Sequence, residues 1–279
     1  MKFLFLGGSG ALLSLLLYGF CVEPYRVEVT EVVIRDAELS RVLQGKVVLH
    51  LSDLHIRAMG RRERKVLDIV ERTSPDFVFL TGDYVKWNGE YDAALEFLSK
   101  LRAETGVWGV LGDADFANSR KSCLFCHEPG SAKPTRKHSV RFLMDSFETV
   151  ETPGGRLRIA GLDFGSEEPL AFLREALDHS QEATIVLAHS PLVFDRFRKE
   201  DDVFVLAGDT HGGQIPLPSR LWALLDCEKC VRYERGLFVD GRKKMYVTRG
   251  VGTSNLPLRI GRRPEIVRYR FEGPGDATP

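Results

Sequence analysis

Five short apolar runs punctuate this chain, and each one stops at an acidic or imidazole side chain. They read VVLHLSDLH, DFVFLTGDY, VWGVLGDAD, ATIVLAHSP and VFVLAGDTHGGQ. A brief run rich in Val, Leu and Phe suits a strand buried on both faces. The residues that follow these runs are Asp53, His55, Asp83, Asp113, His189, Asp209 and His211. Side chains placed just past the C-terminal ends of parallel strands converge on one sheet edge, where open α/β sheets bind their ligands. Oxygen and imidazole donors gathered there describe a site for divalent cations.

The remaining pattern fills in the elements between these runs. Loose alternation over residues 25–35 predicts an edge strand. Strands are expected over 46–52, 76–81, 106–111, 149–152, 156–163, 183–187, 202–207 and 265–271. Apolar positions at helical spacing predict helices over 61–73, 91–103, 140–147 and 167–177. Asp240-Gly241 is a tight-turn signal, so residues 236–249 read as a hairpin. Strands alternate with helices early and cluster late, which predicts two packed sheets with helices outside, in four α/β/β/α layers.

Lys plus Arg and Asp plus Glu each number 39, so the formal charge is zero and a basic nucleic-acid footprint is excluded. The chain divides into a terminal segment 1–22, one large domain over 23–272 and a Gly- and Pro-containing tail over 273–279, which reads as disordered. Residues 3–22 carry no charge, about the length that spans a bilayer as a helix. A cleaved signal segment is the competing reading. Bulky Tyr18 and Phe20 stand where a cleavage site needs small residues, which favours a retained anchor. Lys2 ahead of the segment places the domain on the extracytoplasmic side, periplasmic or at the cell surface.

In this order, the motifs DLH, GDY, AHSP, THGGQI and the late YVTRGVGTSNLPLRIGRRPEI resemble the calcineurin-like metallophosphoesterases, nearest to their membrane-anchored or exported bacterial phosphodiesterase branch. The resemblance covers nearly everything after the terminal segment. It implies two metals roughly 3.5–4 Å apart. Asp53, His55 and His211 would hold the first, Asp83 would bridge, and Asp113, His189 and Asp209 would hold the second, with Asp83 and Asp113 acting in catalysis. A hydroxide between the metals would attack phosphorus.

Three positions depart from the family pattern. The family has Gly-Asn-His-Asp where this chain has Gly112-Asp113-Ala114-Asp115, and Gly-His-Thr-His where it has Gly208-Asp209-Thr210-His211. Asp113 and Asp209 still offer oxygen ligands, and a carboxylate-rich cage favours Mn²⁺, Mg²⁺ or iron over zinc. Four carboxylates would also cancel the charge of two divalent ions. Ala114 removes the histidine that assists the leaving group, a loss that falls hardest on alkoxide leaving groups. A phosphodiester or pyrophosphate bond in a phosphorylated, lipid-linked substrate is the expected target. UDP-2,3-diacylglucosamine hydrolases share the motif order, and a metal-stabilised scaffold that binds a partner is the non-enzymatic alternative.

Two CxxC pairs, Cys123/Cys126 and Cys227/Cys230, fall in insertions near 116–138 and 216–232. Their spacing fits a structural Cys₄ zinc site. Disulfides, a redox-active dithiol, or haem attachment at CLFCH remain alternatives. Arg249 and Asn255 sit in a late loop expected near the site, as phosphate contacts or, for Arg249, as a surface ion pair. The apolar string over 216–225 either lines an acyl-chain groove, touches a bilayer, or packs under the insertion.

Overall fold

The structure is a computed structural model that describes residues 2–86, 91–116, 137–164, 170–179, 182–254, 256–273 and 275. Helix α1 (Lys2–Cys21) leads into strand β1 (Glu28–Arg35), helix α2 (Ala37–Leu43), β2 (Val48–Leu51), α3 (Arg61–Thr73), β3 (Phe77–Thr81), α4 (Tyr91–Lys100) and β4 (Gly106–Val110). Strands β5 (Val140–Phe142), β6 (Ser146–Thr152) and β7 (Gly155–Gly161) follow, then α5 (Ala171–His179), β8 (Ala183–Leu187) and β9 (Phe204–Ala207). Short helices α6 (Ser219–Leu224) and α7 (Glu228–Arg232) precede the hairpin β10 (Gly236–Asp240) and β11 (Lys243–Val247), and β12 (Glu265–Glu272) ends the fold.

The strands form two six-stranded mixed sheets, in the orders β1-β12-β2-β3-β4-β5 and β10-β11-β9-β8-β7-β6. Within them, β2, β3 and β4 run parallel, as do β7, β8, β9 and β11. Parallel pairing puts the ends of successive strands along a common edge, and this positions the site.

Two-residue periodicity sorts the strand side chains into layers. Phe77 and Phe79 on β3 point between the sheets and meet Trp108, Ile185, Leu187, Phe204 and Leu206. Their neighbours Val78 and Leu80 face Val66, Val70, Phe97 and Leu98 of α3 and α4. On the second sheet Val186 and Val205 face Leu173 of α5. Helix, sheet, sheet and helix therefore stack as expected. Each buried ring at the inter-sheet contact contributes roughly 2–3 kcal/mol of transfer free energy, enough to hold the two edges in register.

The structure departs from the expected elements at one place and adds to them at two. Residues 140–147 form no helix: Val140 and Phe142 belong to β5, which extends the first sheet beside β4, and Phe147 lies in β6. Sheet pairing overrode the helical spacing, because β4 would otherwise be left as an unpaired edge. Helix α2 is additional to the expected helices, and its N-terminus is capped by Asp36, which accepts the Leu39 amide at 2.9 Å. The insertion after Gln214 carries α6 and α7.

No helix among the described residues is long and apolar enough to cross a membrane, so the expected anchor is not found as a span. The last turn of α1 instead docks onto the domain. The Gly19 carbonyl accepts the Arg259 amide at 3.1 Å, and a Cβ at Gly19 would lie 2.5 Å from Leu258. A bare glycine is what lets helix and loop approach so closely.

Candidate metal centre

Asp53 and His55 follow β2, Asp83 follows β3, Asp113 follows β4, His189 follows β8, and Asp209 and His211 follow β9. All seven come together. Ligand atoms of Asp53, His55, Asp83 and His211 lie within 4.8 Å of one another, and so do those of Asp83, Asp113 and His189. Asp83 belongs to both groups. Its Oδ2 is 3.3 Å from His55 Nε2, and its Oδ1 is 3.5 Å from His189 Nε2. The seventh residue, Asp209, places Oδ1 3.8 Å from His189 Nε2, and its amide donates to Asp53 Oδ1 at 3.0 Å.

The backbone is bent to achieve this. Asp53, His55, Asp83, Asp209 and His211 all have positive φ, between 42° and 73°. Left-handed backbone is costly for residues with a Cβ and clusters at sites where the surroundings impose it. Glycines clear the space: a Cβ on Gly112 would strike Asp83 Oδ1, and one on Gly208 would strike Ser52 Oγ, with Asp53 Oδ2 2.6 Å away.

Two of the imidazoles are oriented by backbone carbonyls. His189 Nδ1 donates to the Thr81 carbonyl at 2.7 Å and His55 Nδ1 to the Val85 carbonyl at 3.2 Å, so Nε2 is the inward atom in each. His55 Nε2 and His211 Nε2 face each other at 3.1 Å. Burial pushes His55 down to about 3 and His211 well below its ordinary value. His189 differs. Burial disfavours its cation, but Asp83, Asp209, Asp113 and Asp53 outweigh burial and push it well up. Desolvation pushes Asp53 up to about 6 and Asp83 well above the carboxylate range, while the His189 ring, its Nε2 3.6 Å away, draws Asp113 down to about 2.

This electrostatic pattern describes a cage built for cations. His189 Nε2 and Asp209 Oδ2 are buried without a hydrogen-bond partner. Buried polar atoms are normally satisfied, and each orphan costs about 1–3 kcal/mol. A divalent cation in the group of Asp83, Asp113 and His189 would satisfy His189 Nε2, and one in either group would stabilise the clustered carboxylates. The donor set therefore fits two metal ions sharing Asp83.

Two residues that the sequence reading did not assign support the cage. Asp115 is fully buried and accepts the amides of Asp83, Tyr84 and Gly112, each at 2.8 Å. Burial raises it to about 6. Its sequence signal was its place in the Gly112–Asp115 motif. Lys229, between the two cysteines of the CEKC segment at the start of α7, pairs with Asp209 Oδ1. Burial disfavours its charge, but Asp209 outweighs this and raises its pKa. Nothing in the local sequence ties residue 229 to residue 209.

Other candidates fare differently. Cys227 and Cys230 are joined to each other in a disulfide, which removes both thiolates from the expected zinc site. Cys123 and Cys126 lie outside the described residues, as does Asn255. The Arg249 guanidinium donates to Glu265 Oε2 at 2.6 Å and Glu28 Oε1 at 2.8 Å, the ion-paired alternative. Arg259 is completely buried and binds the carbonyls of Gly252, Arg249 and Gly250, which fixes the loop lying against Asp53.

A family model described as calcineurin-like phosphoesterase matches residues 46–213, a stretch that carries all seven cage residues. The chain belongs to this phosphoesterase family. Among its relatives, the phosphodiesterase YaeI of Escherichia coli (strain K12) is 30% identical over 69% of this chain and 68% of its own. A metallophosphoesterase of Aquifex aeolicus (strain VF5) is 29% identical over 96% of this chain and 97% of its own. Among solved structures, TT1561 of Thermus thermophilus has a TM-score of 0.44 at 13% identity, covering 74% of this chain and 90% of that one. Within the matched stretch the chain carries carboxylates at positions 113 and 209 and an alanine at 114.

Proposed function

We propose that this phosphoesterase hydrolyses a phosphodiester or pyrophosphate bond whose leaving group needs little protonation. The observation that carries the reading is Asp83, one carboxylate shared by two ligand groups. Asp53, His55, Asp83 and His211 would hold one cation, and Asp83, Asp113, His189 and Asp209 the other. Bound there, two divalent ions supply Lewis-acid polarisation of the phosphoryl oxygens and lower the pKa of water. The chain supplies the rest. Asp115 fixes the Asp83 backbone, and the Thr81 and Val85 carbonyls fix the imidazoles. Ala114 offers no proton donor: it is buried, and its amide is spent on Asp83 Oδ1 at 3.0 Å. A phosphate or aryloxide leaves without such help, and an alkoxide does not.

We further propose a substrate with an apolar portion and an extracytoplasmic setting, readings that two features support. Leu221, Leu224 and Leu225 are exposed around α6, beside the His211 motif, and suit an apolar portion of the substrate. The Cys227–Cys230 disulfide suits an oxidising, extracytoplasmic compartment.

The test is a screen of metal-free protein against Mn²⁺, Mg²⁺, Fe²⁺ and Zn²⁺ with an alkyl diester, an aryl diester and a pyrophosphate diester. Manganese-dependent turnover of the last two, lost in Asp83→Ala, is expected. Equal turnover of alkyl and aryl diesters would refute the leaving-group argument.

A further inference from the structure

At position 209 the resemblance leads one to expect a neutral imidazole, and the chain carries a carboxylate. The structure places a cation directly on that carboxylate. Lys229 Nζ pairs with Asp209 Oδ1, leaving Oδ2 buried and unpartnered within the cage. Together, an aspartate and a lysine carry the net charge of the imidazole they stand in for. A cage with four carboxylates would neutralise two divalent ions, and Lys229 returns one positive charge to it.

Lys229 is held in place rather than swinging from a surface loop. The Cys227–Cys230 disulfide closes across it. Helix α7 is tied back to the body of the domain by Arg232 on Asp195 at 2.8 Å, and the chain just beyond α7 by Thr210, whose hydroxyl donates to the Glu234 carbonyl at 2.6 Å. Thr210 lies between Asp209 and His211, so one connection fixes both the lysine arm and the ligand loop. The Lys229 side chain is 32% exposed, so its ammonium stands between the buried cage and solvent.

We infer that Lys229 is a specificity-determining residue of the metal centre, compensating Asp209 and presenting its remaining N–H donors to a phosphoryl oxygen of the substrate. This deepens the metallophosphoesterase reading and rests on it. An ammonium carries three donors, of which Asp209 uses one. The ligand class is a phosphate group carrying negative charge on its non-bridging oxygens.

The experiment measures Mn²⁺ binding to metal-free protein by calorimetry, then inorganic phosphate binding to the Mn²⁺-loaded protein. Four forms are compared: wild type, Lys229→Met, Lys229→Arg and the double variant Asp209→His/Lys229→Met. Removing the lysine charge is expected to tighten Mn²⁺ by about tenfold and weaken phosphate by about tenfold, as one nearby charge does when solvent screens it almost as in water. Lys229→Arg should hold both near wild type, and the double variant should return Mn²⁺ affinity towards it. Unchanged constants in Lys229→Met, or weakened Mn²⁺ binding, would overturn the assignment. Wild-type protein that binds no Mn²⁺ would instead overturn the metal-centre reading beneath it, so the two failures are told apart.

Discussion

Asp115 accepts the backbone N–H of Asp83 at 2.8 Å, so one buried carboxylate steers the backbone of another that both metal groups share. Asp83 has φ 58° and needs that outside support to stay in the left-handed region. Asp115→Ala should weaken metal binding by roughly 10–100-fold while leaving all seven ligands in the sequence. Asp115→Asn keeps one acceptor and should fall between. Calorimetric titration with Mn²⁺ decides it, and wild-type affinity in Asp115→Ala would remove Asp115 from the argument.

Gly112 touches Asp83 and His189 so closely that a methyl group cannot be added without displacing them. Gly112→Ala should therefore lower turnover by on the order of 10²-fold, the usual consequence of moving a reacting geometry by about an ångström. Circular dichroism should change little, and the melting temperature should fall by no more than several degrees, as overpacking of about 1–3 kcal/mol does. A large loss of fold instead of activity would mean that this contact serves stability.

Ala114 stands where the resemblance leads one to expect an assisting histidine. Ala114→His should raise alkyl diester turnover by roughly 10²-fold or more and leave aryl diester turnover nearly unchanged, since a general acid helps poor leaving groups most. The informative quantity is the alkyl-to-aryl ratio of kcat/KM. A ratio that does not move counts against the leaving-group account.

His50 lies in the core, between the Tyr269 hydroxyl at 3.0 Å and Thr81 Oγ1 at 2.8 Å, and contributes no ligand. Burial pushes its pKa from the ordinary 6.5 down to about 3. Between those values the unfolded chain binds a proton that the native chain does not. Stability from this residue is thus full above pH 6.5 and falls as pH drops towards 3, by at most about 1.4 kcal/mol per pH unit. Urea midpoints for wild type and His50→Gln between about pH 7 and pH 4 should show a shallower slope in the variant, and parallel slopes would exclude His50 as a source.

The strand ends were legible because each buried run and its terminal ligand lie within a few residues of one another. Phe77 to Asp83 can be read from local sequence alone. The support around them was not legible. Asp115 acts through a fold-back onto β3, and Lys229 reaches Asp209 only after α6 and α7 have formed. The helix expected over residues 140–147 failed because Val140 pairs with Val107, a partner that periodicity cannot reveal. The zinc expectation rested on CxxC spacing, which is equally the spacing of a disulfide closed within one short helix, as Cys227–Cys230 is.

Strand β12 lies between β1 and β2, paired in parallel along the whole of β1 from Glu28↔Glu265 to Arg35↔Glu272. During synthesis, Glu28–Arg35 leaves the ribosome more than two hundred residues before its partner exists. Strand β1 must wait for β12, so this edge of the sheet can close only after the intervening domain has been made. Until then β2 lacks its neighbour on that side, and the nascent chain exposes a sticky edge at the very strand that ends in Asp53 and His55.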